Sequence, residues 1–111
     1  MNGTINDATL YEKLGANLKL AREALGITQG RLARQVGIAR TSITNIEAGQ
    51  QKLPIHLLFQ LCDVLQIEVV NVLPSLKEVR RSEMEEVEVN GQLTVLPRQA
   101  ATIARELIED L

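Results

Sequence analysis

Leu10, Leu14, Leu18, Ala21 and Leu25 stand four, four, three and four residues apart, which places them on one face of a helix. Asn6 or Asp7 can cap that helix, because their side-chain oxygens accept from first-turn amides that have no helical partner. Residues 1–6 read as a polar, mobile lead. Gly15 inside the helix costs roughly 1 kcal/mol relative to alanine, so a close contact must offset it or the helix must start later. Gly26 is a left-handed stop, and Thr28 caps a second helix with Leu32, Ala33 and Val36 facing inward. Gly37 ends that one. A third helix, Arg40 to Ala48, carries Ile43 and Ile46 on one side and Arg40, Thr41, Thr44 and Asn45 on the other. Pro54 fits the first position of a fourth helix, where its missing N–H is not needed, with Leu57, Leu58, Leu61 and Leu65 as the inward stripe. Ile67 to Leu73 reads as a short fifth helix, with a strand as the rival.

The pattern changes after Pro74. SLKEVRRSEMEEV is a charged helix or a linker, and EVEV-NG-QLTVL is a β-hairpin turning at Asn90-Gly91. A two-residue loop pairs Val89 with Gln92 and Val87 with Thr94, which puts Leu93 and Val95 on the opposite face. A loop one residue longer would gather all four apolar residues on one face, and the alternation alone permits both. Pro97 opens a last helix whose stripe runs through Ala100, Ile103, Ala104, Leu107, Ile108 and Leu111. That stripe is too apolar to be left in water.

Composition narrows the class. Aromatics are nearly absent, with one Tyr, one Phe and no Trp, so the core is built from Leu, Ile, Val and Ala. A lone Cys62 excludes an intramolecular disulfide. No apolar run is long enough for a membrane span and no secretory signal is visible, so a cytoplasmic location is expected. The net charge of -2 argues against a general polyanion binder. Residues 1–74 hold seven Lys and Arg against six Asp and Glu, and residues 75–111 hold five against eight. The front is marginally basic and the rear acidic, so any DNA binding must rest on placed contacts.

Helix, tight glycine turn, helix with a polar outer face is the outline of a helix-turn-helix. The run LKLAREALGITQGRLARQVGIARTSITNIEAGQQKLPIHLLFQLCDVLQI resembles the DNA-binding domain of lambdoid phage repressors and the wider XRE family of bacterial regulators. Thr28-Gln29, Leu32-Ala33, Gly37, Ser42-Ile43, Ile46-Glu47 and Gly49 stand at the family's spacing. The resemblance implies a mainly α fold: a five-helix DNA-binding domain over 1–74, then a C-terminal extension over 75–111. It implies that Gln29 and Ser42 hold the DNA backbone and that Arg40, Thr41, Thr44 and Asn45 meet base edges. Those residue types suit the work: arginine grips guanine, asparagine grips adenine, and threonine methyls touch thymine methyls. Lys19 and Lys52 are further candidate phosphate contacts. Arg22 and Glu47 match a family ion pair that sets the helix angle and touches no base. Ala39, where a capping Ser or Thr is common, departs from the pattern.

The function expected is therefore a sequence-specific, homodimeric transcriptional regulator, a repressor acting on a palindromic operator. Residues 75–111 would supply the dimer contact through Ile103, Ala104, Leu107, Ile108 and Leu111. The rival is an antitoxin whose acidic tail masks a toxin protein, and a weaker third is a restriction–modification controller. No nucleophile–base pair, phosphate loop or metal-ligand cluster is apparent, so neither catalysis nor a cofactor is expected.

Overall fold

The computed structural model describes residues 4–80 and 84–109, and its first helix, α1 (Asp7–Leu25), opens on Asn6, whose side chain accepts from the Thr9 amide at 3.1 Å. At its end Gly26 is left-handed, and Ile27 donates back to the Arg22 carbonyl. Thr28 caps α2 (Gln29–Val36) through the Arg31 amide, and Gly37 turns the chain with φ 75°. α3 spans Arg40–Glu47, one residue shorter than expected, and Ala39 offers no side-chain cap. α4 is Ile55–Leu65. Pro54 precedes it as the N-cap and not as its first residue, with an extended ψ of 150°. α5 (Val69–Val72) is a helix, so the rival strand is excluded.

The inward faces are those the apolar spacing marks. Leu14, Leu18, Leu32, Ile43, Ile46, Leu61 and Val72 form one core with Cys62 among them. Burial, helped by the charge of Glu68, pushes the Cys62 thiol above its ordinary pKa, which keeps it protonated. Leu25 corrects the expected stripe, being 40% exposed. The helix ends beside it, and Ile27 beyond the turn packs against the core instead. Asn17 on α1 donates to the Val72 carbonyl at 2.8 Å, tying α5 down.

The charged stretch after Pro74 becomes a single helical turn, α6 (Leu76–Val79), opened by a capping box between Ser75 and Glu78. It returns to the start of the chain. Asn6 donates to the Val79 carbonyl, Ile5 bridges Arg80, and Val79 is buried. Ile5 and Asn6 are therefore anchored, unlike the mobile lead expected. For the same reason the chain divides into compact units at Met1–Arg80 and Arg81–Leu111, beyond the change of pattern at Pro74.

In the second unit β1 (Met84–Val89) pairs antiparallel with β2 (Gln92–Pro97). Asn90 and Gly91 both have positive φ, 52° and 78°, as a two-residue hairpin turn requires. Val89 pairs with Gln92 and Val87 with Thr94, so the longer loop is excluded. Pro97 ends β2, and α7 begins one residue later, at Arg98. α7 (Arg98–Glu109) buries Ala101 within this unit and leaves Ile103 and Leu107 exposed. Among the described residues, no helix is long and apolar enough to cross a membrane.

One constraint positions α3 more than any other. Gly15 on α1 lies against the end of α3, where a Cβ would collide with the Ile46 carbonyl oxygen and stand 2.9 Å from that of Glu47. Just beyond, Gly49 lies over α1, where a Cβ would stand 2.6 Å from the Glu12 Cα. Both neighbours are backbone and cannot swing aside. Gly15→Ala gains about 1 kcal/mol of helix propensity, but the overpacking costs about 1–3 kcal/mol or more. A lower urea midpoint at unchanged slope is expected. A higher midpoint would show that the two helices do not meet backbone to backbone.

Candidate nucleic-acid interface

Glu47 at the end of α3 is buried, and an ionised carboxylate there can only accept hydrogen bonds. Arg22 supplies two: Nε to Oε2 at 2.7 Å and Nη2 to Oε1 at 3.0 Å. The side chains of this ion pair are 11% and 4% exposed. A third Arg22 nitrogen donates to the Ile27 carbonyl at 2.8 Å, which holds the turn between α1 and α2. The bond to Glu47 raises the Arg22 pKa above its ordinary value; burial opposes the shift, and the charges of Glu47 and Glu23 assist it. The arginine stays charged at any pH the fold meets.

Gln29 extends this pair toward the surface. Its Nε2 donates to Glu47 Oε1 at 3.0 Å. Since the carboxylate cannot donate, the amide nitrogen must face it, which turns Oε1 the other way. There it accepts from Thr44 Oγ1 at 3.0 Å. Thr44 is exposed, so a chain of contacts runs from the buried Arg22 to the outer face of α3. Nothing in the spacing announces the link: Gln29 lies 18 residues before Glu47 and 15 before Thr44.

The outer face of α3 is open. At ~100° per residue, Arg40, Thr41, Thr44 and Asn45 fall within an arc of about 140°, opposite Ile43 and Ile46. All four are exposed. Among the described residues, no side-chain partner occurs for Arg40, Thr41 or Asn45. Ser42 is half-buried on the same helix, and Lys19 is exposed on α1. Lys52, in the loop after α3, faces Asp7 at 3.6 Å, and both are well exposed. Part of that cation's charge is therefore already offset within the chain. Arg31 and Arg34 on α2 are also exposed, two cations that the sequence reading passed over.

Two short helices at a tight turn, the second held by a buried ion pair and presenting unpaired polar groups, define a helix-turn-helix DNA-binding unit. The family model for helix-turn-helix proteins matches residues 18–70. The chain belongs to that family, in its XRE-type branch of DNA-binding regulators. Solved structures agree. The restriction-modification controller protein C.AhdI from Aeromonas hydrophila is 28% identical, with a TM-score of 0.55 over 57% of this chain and 96% of its own. The clp gene regulator ClgR from Corynebacterium glutamicum is 30% identical over 57% of this chain and 82% of its own, with a TM-score of 0.55. NHTF, a hypothetical transcription factor from Neisseria, shares the fold at 23% identity and a TM-score of 0.57, over 70% of this chain and 90% of its own. No curated protein sequence matches.

Because the pair is buried, removing one partner strands the other. Glu47→Ala is expected to lower stability by about 3 kcal/mol. Replacing both partners by apolar residues, Arg22→Met with Glu47→Leu, should recover most of the loss. Urea unfolding of the two single variants and the double one measures this. Equal loss in all three would show that shape, and not the stranded charge, sets the cost.

Proposed function

We propose that the Met1–Arg80 unit reads a DNA half-site with α3 and that two copies, joined through residues 81–111, act as a homodimeric repressor. The observation that carries this reading is the open face of α3, where Arg40, Thr41 and Asn45 are exposed and unpaired among the described residues. Arg40 would grip guanine O6 and N7, and Asn45 adenine N6 and N7, each such pair discriminating by roughly 1–3 kcal/mol. Gln29 keeps one amide hydrogen after its bond to Glu47, and that hydrogen can meet a phosphate at the start of α2. Ser42, Lys19 and Lys52 would add backbone contacts. Two copies related by a two-fold axis would place half-sites about 34 Å apart on a palindromic operator. Repression asks least of such a chain, because occupying a promoter blocks polymerase without any further contact surface.

Charge and exposed apolar surface support the pairing. The first unit carries nine Lys and Arg against seven Asp and Glu, a balance of +2. So small a balance gives weak binding per copy, and linking two copies multiplies it. The second unit leaves Leu93, Val95, Ile103 and Leu107 each more than half exposed, on a sheet of only two strands. Ala104 is half-buried beside them. The Ile108 side chain and Leu111, which would continue the stripe, lie outside the described residues. A hairpin and one helix bury little apolar surface alone, and a second copy would cover what is exposed.

Selection from random DNA is expected to enrich a palindrome, and Asn45→Ala to relax one position in each half. An unenriched pool would refute the DNA-reading role, and an unchanged motif would refute the part given to Asn45. For the dimer, sedimentation of the full chain against a truncation ending at Arg80 should give a dimer and a monomer. A truncation that remains dimeric removes the second unit from the interface.

A further inference from the structure

We propose that two copies of the chain join along the outer edge of β2, making one four-stranded antiparallel sheet with Thr94 on its two-fold axis. This rests on the reading that residues 81–111 hold the homodimer together. The sheet has two strands, so each strand has an outer edge. The two edges differ in charge. β1 holds Glu85, Glu86 and Glu88 among its six residues, whereas β2, QLTVLP, holds no charged residue. α7 packs more on β1 than on β2, and Gln92, Leu93, Thr94 and Val95 are all exposed. The strand that α7 covers less is thus the uncharged one.

The ladder decides what that edge can bond. A two-residue loop closes on a hydrogen-bonded pair, here Val89 with Gln92, and such pairs alternate along the strands. Gln92, Thr94 and Leu96 therefore direct their N–H and C=O groups to β1. Leu93 and Val95 direct theirs outward, and among the described residues no strand pairs with them. Pro97 has no N–H to offer, as suits the end of an edge strand. A two-fold axis normal to the sheet lays two β2 strands antiparallel with the same face up. Setting Leu93 opposite Val95 of the second copy then makes four backbone bonds and satisfies every outward group of both residues. Shifting the register toward Pro97 leaves the Leu93 carbonyl without a donor, and shifting it the other way runs Val95 against the turn. Thr94 meets Thr94 across the axis, a favourable cross-strand pair, and the exposed Leu93 and Val95 lie side by side.

The same operation fails at β1. Every two-fold register that pairs three or more of its residues sets one glutamate opposite another, which is destabilising. Acidic outer edges would also stop further strands from adding, so the assembly closes at two copies. Both α7 helices would share one face of the sheet. With strands about 4.8 Å apart, the midlines of the two halves lie about 10 Å apart, an ordinary distance for packed helices. Ile103 and Leu107, exposed on α7, are then available to fill the space between them.

The test uses the full chain. Amide hydrogen exchange at Leu93 and Val95 should be at least about tenfold slower than at Glu88, on the outer edge of β1. Thr94→Cys should give a disulfide-linked dimer under oxidised glutathione, because residues opposed on the axis have Cα atoms about 4.5 Å apart, within disulfide range. Glu88→Cys should not, and Cys62 is buried away from the reaction. A dimer whose Leu93 and Val95 amides exchange as fast as that of Glu88 is held through another face. That result overturns the pairing and leaves the homodimer intact. So does a dimer that cross-links through Glu88→Cys and not through Thr94→Cys. A full chain that sediments as a monomer overturns both.

Discussion

The Glu47 carboxylate is the group on which the geometry of α3 depends. It sits at the end of α3, it is buried, and it must be given donors. Those donors come from two other helices, Arg22 on α1 and Gln29 on α2. One acceptor thereby fixes three helices to one another, and Arg22 adds the turn between the first two through the Ile27 carbonyl. Such a pair is weak evidence for stability, since desolvation cancels much of the attraction. What it supplies is direction. Apolar packing of Ile43 and Ile46 permits α3 to slide or roll by small amounts at little cost, whereas a bidentate arginine–carboxylate contact does not.

The close approach of α1 and α3 works with that bond. Without side chains at Gly15 and Gly49 the end of α3 settles onto the α1 backbone, and at that separation Arg22 can reach Glu47 with both nitrogens. A glycine in the interior of a helix weakens it locally, so Gly15 exchanges helix stability for contact between elements. Its position in the middle of an otherwise regular helix has no other evident cause. The helix-turn-helix is thus held at its base by backbone contact and an ion pair, while on its outer face Arg40, Thr41 and Asn45 have no side-chain partner among the described residues.

How much of this the sequence revealed varied with the kind of interaction. Helix limits were legible because the residues that set them are local: Asn6 and Thr28 cap, and Gly26 and Gly37 stop. Leu25 misled because periodicity cannot tell that the helix ends beneath a residue, so that Ile27 takes its place in the core. The hairpin register was open because alternation fits either loop length, and only the positive φ at both Asn90 and Gly91 decides it. The Arg22–Glu47 pair, 25 residues apart, was legible through family resemblance alone. The bonds of Gln29 to Glu47 and Thr44 were not legible at all. Exposed glutamine and threonine are common, and nothing in their spacing marks them as partners.

The fold also changes what the charge count means. Divided at Pro74, the chain looked like a barely basic front with an acidic rear. Because α6 packs back on α1, Lys77 and Arg80 belong to the first unit, which becomes +2, while residues 81–111 hold three Lys and Arg against seven Asp and Glu. A polyanion meets one unit that weakly attracts it and one that repels it. Non-specific binding, which is almost wholly electrostatic, is therefore suppressed more than binding through placed hydrogen bonds. Since a regulator is judged by the ratio of the two and not by affinity alone, a chain with few cations and an acidic second unit can be selective without being tight. The burden then falls on placed side-chain contacts rather than on bulk charge, and on the bonds that hold α3 at its angle.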